Sequence, residues 1–80
     1  MRLRILSVSG TLLDTEASSV TVPAEDGLLG ILRGHAPMVA ALKAGDIRYR
    51  SGEGETARFP ISGGVLEVSR DLITVLTDGD

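Results

Sequence analysis

Cysteine is absent from the chain, aromatic residues amount to Tyr49 and Phe59, and no apolar run reaches the length of about 20 residues that spans a bilayer. Without cysteine there is no disulfide framework, no thiolate zinc site and no cysteine nucleophile. The shortage of aromatic rings removes the platforms on which nucleic-acid bases stack. Basic residues are also outnumbered, 8 against 11 acidic, and the net charge of −3 has the wrong sign for phosphate binding. We therefore expect no nucleic-acid partner.

What is present indicates an ordered domain. Hydrophobic residues make up 42% and charged residues 24% of the 80 residues, a balance too apolar for a disordered segment. Ser7 and Ser9 interrupt the apolar stretch at the N-terminus, which therefore lacks the hydrophobic region of a signal peptide. Internal repeats, low-complexity tracts and linkers are not found, so we predict a single domain over residues 1–80.

Short alternating segments predict an all-β fold. Apolar and polar residues alternate with period two over 19–22, 47–50 and 56–61, which is typical of half-buried antiparallel strands. Denser apolar runs at 65–68 and 72–76 predict a hairpin of two strands buried on both faces in the middle of a sheet. Ten glycines and three prolines leave little room for long helices. These features favour a β-sandwich or a flattened barrel.

Turn signals separate the predicted strands. They lie at 24–27, 34–37, 44–46, 51–55 and 62–64, where Gly, Pro, Asp and Ser cluster. The segment 37–43 fits either a helix or a short strand, because Ala, Leu and Lys favour helix while its brevity suits a strand.

The glycines and the single histidine have mainly structural interpretations. The glycine spacing GxxGxxxG from Gly27 to Gly34 matches neither nucleotide-binding fingerprint, and glycine at such places permits positive φ or close backbone approach. The pair Gly63 and Gly64 is typical of a bulge or bend at a strand entry. His35 lacks a second imidazole or thiolate for zinc, and the chain has no GxSxG nucleophile motif. We therefore expect no catalytic, cofactor or metal site.

Arginine side chains alternate on two strands that would be neighbours in a meander. Arg48, Arg50 and Arg58 are expected on one polar face. Such a face either keeps the sheet soluble or forms a charged docking surface.

Four segments in order, GLLGILRGHAP, LKAGDIR, SGGVLEV and TVLTD, make the chain resemble the N-terminal β domain of the epsilon subunit of F-type ATP synthase. The resemblance implies a flattened ten-stranded sandwich of two five-stranded sheets. It also implies a non-catalytic rotor subunit of a proton- or sodium-translocating synthase, without a cofactor. Its implied partners are the gamma subunit and the c-ring, on the cytoplasmic face of the bacterial inner membrane, peripheral and not inserted.

Site residues follow from the resemblance position by position. It implies a c-ring-facing end at Glu25, Asp26, Leu28, Arg33, Gly34 and His35. It implies a gamma-facing side at Ser7, Ser62 and Leu66, and structural roles for Gly27, Gly30, Gly63 and Gly64. The sequence stops at Asp80, before the family's C-terminal helical hairpin. From this we expect that the chain as given does not inhibit ATP hydrolysis through such an arm. The alternatives are a free-standing β-barrel that binds a small ligand, or a hydrolase using His35.

Overall fold

The computed structural model describes residues 1–78, and within them every regular element is a β-strand. The strands are β1 (Arg2–Ser7), β2 (Gly10–Glu16), β3 (Ser19–Ala24), β4 (Gly27–Leu32), β5 (Met38–Arg50), β6 (Thr56–Ser69) and β7 (Leu72–Thr77). They form one hydrogen-bonded sheet in the order β2-β1-β7-β6-β5-β3-β4. All neighbours are antiparallel except β1 and β7, which are parallel. The all-β prediction is confirmed.

The sheet folds over itself because its two longest strands pass through both layers. β5 and β6 pair along their length, from Met38↔Val68 to Arg50↔Thr56. β7 pairs with the C-terminal half of β6 and does not extend along its N-terminal half. β3 pairs mainly with the C-terminal half of β5. The first layer therefore contains β2, β1, β7, the second half of β6 and the first half of β5. The second layer contains the first half of β6, the second half of β5, β3 and β4.

The expected number of strands, ten in two five-stranded sheets, is wrong. Residues 1–78 form seven strands, which supply five segments to one layer and four to the other. The difference arises because 44–46 and 62–64, predicted as turns, lie inside β5 and β6. Gly45 has φ 158° with Pro23 packed against it, and Gly63 and Gly64 have φ 141° and 154°. These glycines bend the strands sharply while the ladder continues.

The core lies between the layers and is filled by one face of each strand. The buried hydrophobic residues are Met1, Leu3, Ile5, Ala17, Val20, Val22, Ile31, Leu42, Ile47, Ile61, Leu66, Val68, Ile73 and Val75. The undecided segment 37–43 belongs to strand β5 from Met38 onward.

The β6–β7 hairpin lies mid-sheet as predicted, but its strands are not buried on both faces. Leu66, Val68, Ile73 and Val75 point into the core, whereas the intervening side chains are more exposed. The reason is that the sandwich has only two layers, so each strand has one covered face. Within residues 1–78 no helix is long and apolar enough to cross a bilayer.

Candidate docking surfaces

His35 and the acidic side chains are the groups within residues 1–78 that could hold a metal ion or act as a base. Among residues 1–78 no group of three or more His, Cys, Asp and Glu side chains is placed to hold a metal ion. His35 Nδ1 lies 2.7 Å from the carbonyl oxygen of Ala36, so the hydrogen bond recorded for this ring goes to the neighbouring backbone. That contact places one ring nitrogen of His35 against the backbone of its own turn.

An exposed row of apolar side chains crosses the outer face of the first layer. Leu6 lies opposite Leu76, and Leu76 opposite Val65, in three adjacent strands. Leu76 is 52% exposed, and Val8, at the tip of the β1–β2 turn, is 101% exposed. Val8, Val65 and Leu76 line one shallow depression beside this turn. We refer to Leu6, Val8, Val65 and Leu76 as the apolar stripe.

Of the three expected gamma-facing residues, Ser7 lies beside this stripe. Ser7 ends β1, and its Oγ lies 2.8 Å from Ser9 Oγ and accepts the Ser9 N–H at 3.2 Å. Ser62 is exposed at the bend of β6. Leu66, by contrast, is 0% exposed and belongs to the core. The expectation for Leu66 is therefore corrected, because a side chain enclosed between the layers has no surface to offer a partner.

The bend that supports the stripe is held by close backbone contact. A Cβ on Gly64 would overlap the carbonyl oxygen of Leu76 and lie 3.1 Å from Cα of Thr77. Thr77 Oγ1 donates to the carbonyl oxygen of Gly63 at 2.8 Å. The structural role expected for Gly63 and Gly64 thus has a specific basis, since both have positive φ and β7 lies directly against this bend.

The expected c-ring-facing residues fall into two turns rather than one. Glu25 and Asp26, here called the acidic turn, precede β4, whereas Arg33, Gly34 and His35 follow it. The six residues of β4 hold these turns roughly 20 Å apart at the usual rise of a strand. All of these residues are exposed except His35, which is half-buried. Leu28, which is 69% exposed, lies on the strand between the two turns.

Of the four glycines expected to be structural, Gly30 is the exception. Gly27 has φ 131° directly after the acidic turn, a conformation that disfavours other residues. Gly30 has no positive φ, and a Cβ there would meet nothing within 4 Å. Its structural role is not supported, because neither backbone conformation nor crowding requires glycine at that position.

Arginines line the outer face of the second layer, as the alternation predicts. Arg48 lies directly opposite Arg58, and Arg50 is two residues further along β5, on the same face. Arg58 Nη1 is 3.8 Å from Asp46 Oδ2, an exposed and loose ion pair.

Among residues 1–78, the shortest ion pair joins Arg2 of β1 to Asp14 of edge strand β2. Arg2 Nε and Nη2 donate to the two carboxylate oxygens of Asp14 at 2.7 and 3.0 Å, and Arg4 Nε lies 3.8 Å from the same carboxylate. This hydrogen bonding, with Arg2 as donor and Asp14 as acceptor, lowers the pKa of Asp14 and raises the pKa of Arg2. This cluster gives β2 a charged edge.

Sequence reasoning missed the apolar stripe. Val65 and Leu76 belong to dense apolar runs, which were interpreted as strands buried on both faces. The sequence did contain a signal for it. Val65 is on the same face of β6 as Glu67, and Leu76 is on the same face of β7 as Thr74. A charged residue in phase with a valine shows that the valine's face is not core.

The fold and these surfaces define a class of protein. Residues 1–78 form a two-layer β-sandwich that exposes an apolar stripe and charged surfaces. The model of the ATP synthase delta/epsilon chain β-sandwich domain matches residues 1–79, and the chain belongs to this family. Chains of this family are structural and regulatory stalk subunits and not themselves catalytic.

Individual relatives agree with this assignment. The chain is 47% identical over 79 residues to an ATP synthase epsilon chain of Symbiobacterium thermophilum, covering 98% of this chain and 56% of the relative. It is 42% identical over 76 residues to the epsilon chain of Bacillus velezensis, covering 95% and 57%. The chain therefore spans little more than half the length of these curated relatives.

Solved structures share the fold. A chain in the Euglena gracilis mitochondrial ATP synthase, in a structure of OSCP, F1 and the c-ring, superposes with a TM-score of 0.87 at 24% identity, over 95% of this chain and 49% of that one. A chain from the central stalk and c-ring of the Tetrahymena thermophila enzyme gives a TM-score of 0.80 at 16% identity, over 100% and 63%.

Proposed function

We propose that the chain is a non-catalytic central-stalk subunit that couples the catalytic head of an F-type ATP synthase to its c-ring. It binds the gamma subunit with the apolar stripe and meets the c-ring with the acidic turn and β4. The proposal is supported by the family match and by two structural relatives that come from complexes containing a c-ring.

The apolar stripe is the main support for a gamma-binding surface. Val8 is fully exposed, and Val65 and Leu76 expose about half of their surface beside it. Contiguous exposed apolar side chains typically mark a protein interaction site. Ser7, assigned to the gamma-facing side from its position in the sequence, lies at the border of this stripe.

The c-ring contact is proposed for the β4 side of the molecule. The carboxylates of Glu25 and Asp26 lie on an exposed turn, and exposed rim charges mainly steer association. Leu28 adds an exposed apolar contact next to them, and Arg33, Gly34 and His35 extend the surface beyond the far end of β4. The two turns would touch the ring at separate points rather than through one edge.

The location of the subunit follows from this assembly. Its bacterial relatives support a place in a membrane-associated complex. We assign the chain to the cytoplasmic face of the bacterial inner membrane, held there by its partners in a proton- or sodium-translocating complex.

Binding to the cognate gamma subunit tests the proposal. Leu76→Lys should weaken binding at least about tenfold, a loss near 1.4 kcal/mol, because it charges the centre of the stripe. Leu32→Lys is the matched control, since Leu32 is a similarly exposed leucine on β4, outside the stripe. Calorimetric titration of both variants and of the unaltered chain gives the comparison. Equal affinity in all three, or no affinity in the unaltered chain, would contradict the gamma assignment.

A further inference from the structure

We propose that a second copy of this chain pairs with the free edge of β4, antiparallel and centred on Gly30. The pairing would join two sandwiches through a continuous sheet, by strand addition at an exposed edge. It needs only the edge described here and does not depend on the proposed role in a synthase.

The edge of β4 lacks the features that normally block strand addition. At the opposite end of the sheet, β2 carries Asp14 and Glu16 and a register shift against β1. The free side of the first half of β6 carries Arg58 and Pro60. Charges, prolines and bulges of this kind prevent edge-to-edge pairing. β4, with the sequence GLLGIL, contains none of them, so its edge is open to a partner strand.

A register centred on Gly30 matches the side chains of the two copies. It sets Gly30 opposite Gly30 of the second copy, where neither strand carries a side chain. Leu28 then lies opposite Leu32 of the second copy, twice by symmetry. These leucines are 69% and 64% exposed in the single chain and share the outer face of β4. Directly opposite side chains in an antiparallel pair are close enough to contact, so the pairing covers four exposed leucines.

The charges at the two ends of β4 fit the same arrangement. The acidic turn precedes the strand, and Arg33 follows it. In an antiparallel pair centred on Gly30, Arg33 lies opposite Gly27 of the second copy, next to that copy's Asp26. Each end of the interface therefore brings an arginine beside two carboxylates. A parallel pairing would instead place like charges together, which is unfavourable.

The pairing uses residues that are also proposed to face the c-ring. Asp26, Leu28 and Arg33 cannot contact a second copy and another partner at once. Two copies joined through β4 would therefore be a form of the free subunit, which separates when the subunit docks.

Single cysteines test the register directly, because the chain has none of its own. Gly30→Cys should form a covalent dimer on mild oxidation, since directly opposite positions lie within the Cα separation that a disulfide needs. Space around Gly30 is open, so the substitution leaves the fold intact. Leu28→Cys alone should not cross-link, because its symmetry mate is roughly 13 Å away. An equal mixture of Leu28→Cys and Leu32→Cys should cross-link. Thr11→Cys, on edge strand β2, is the control.

Sedimentation of the unaltered chain supplies an independent readout. We expect a concentration-dependent rise from the monomer mass of 8.4 kDa to twice that value. Asp26→Lys and Arg33→Glu should each weaken association severalfold, whereas the double variant should recover it. A monomer at every concentration up to about 1 mM, or Thr11→Cys cross-linking as fast as Gly30→Cys, would overturn the proposal.

Discussion

At the scale of single residues, Gly64 is the position where the backbone leaves least freedom. A Cβ there would collide with the carbonyl group of Leu76 on the neighbouring strand, and φ is 154°. We expect Gly64→Ala to lower the free energy of unfolding by about 3 kcal/mol, because the carbonyl of a paired strand cannot move aside cheaply. The midpoint of urea unfolding measures the effect.

Gly30→Ala is the matched control for that measurement. The same added methyl group meets open space, and the backbone has no positive φ. We expect a change within about 0.5 kcal/mol, as for ordinary surface substitutions. Equal destabilisation by the two alanine variants would show that loss of glycine flexibility, rather than collision at the bend, determines the effect.

The ion pair of Asp14 predicts a pH dependence. Hydrogen bonding to Arg2 lowers the pKa of Asp14 in the folded chain below its ordinary value near 4. The folded state therefore gains stability from this carboxylate above its unfolded pKa and loses it as the pH falls through the folded pKa. Asp14→Asn should lose less stability than the unaltered chain between about pH 5 and pH 2. Urea titrations at several pH values compare them, and parallel curves would contradict the expectation.

At the scale of elements, the β6–β7 hairpin contains an avoidable strain. Ser69 pairs with Leu72, which leaves Arg70 and Asp71 as a two-residue turn, and Arg70 has φ 56°. Glycine adopts positive φ without the steric penalty of a side chain. We expect Arg70→Gly to stabilise the fold by about 0.5 kcal/mol, after the greater entropy of glycine in the unfolded chain is subtracted.

Thermal unfolding of that variant measures the gain, with Asp71→Gly as its control. Asp71 has no positive φ, so glycine there relieves nothing and adds only unfolded-state entropy. Stabilisation by Asp71→Gly but not by Arg70→Gly would contradict the assignment of strain to Arg70.

Most strands were predictable from local pattern, whereas the bends in β5 and β6 were not. Alternation around Val20, Ile47 and Phe59 correctly indicated half-buried strands. Glycine near 45 and 63 signals a break in chain direction, but local sequence does not show whether hydrogen bonding continues through it. Continuity depends on the partner strand, since Lys43 and Gly63 remain paired on one side of the bend and Gly45 and Ile61 on the other.

The candidate surfaces were predictable only in part, for a related reason. Residues close in sequence, such as Asp26 and His35, were assigned to one c-ring-facing end, yet β4 runs between them. Leu66 and Val65 are adjacent, but one is core and the other is surface. Sequence position shows which strand a residue belongs to, while the face and the end of the strand depend on register.

At the scale of the whole molecule, the two proposed interfaces are distinct but close. Three neighbouring positions across the sheet separate Leu76 from the acidic turn. Leu76 lies opposite Val65, Val65 lies opposite Ala41, and the Glu25 N–H donates to the Ala41 carbonyl at 3.1 Å. Three strand spacings amount to roughly 14 Å. At that separation, changes without shared partners generally act independently.

We therefore expect separable effects in a reconstituted assembly of gamma subunit and c-ring. Neutralising the acidic turn with Glu25→Gln and Asp26→Asn should slow docking on the ring, mostly at low salt, because exposed charges act through a field that ions screen. Leu76→Lys should weaken gamma binding without changing the salt dependence of the ring contact. Stopped-flow association at several salt concentrations, with single and combined variants, measures both effects. If the combined variant departs from the sum of the separate free-energy changes by more than about 0.5 kcal/mol, the two surfaces act as one interface.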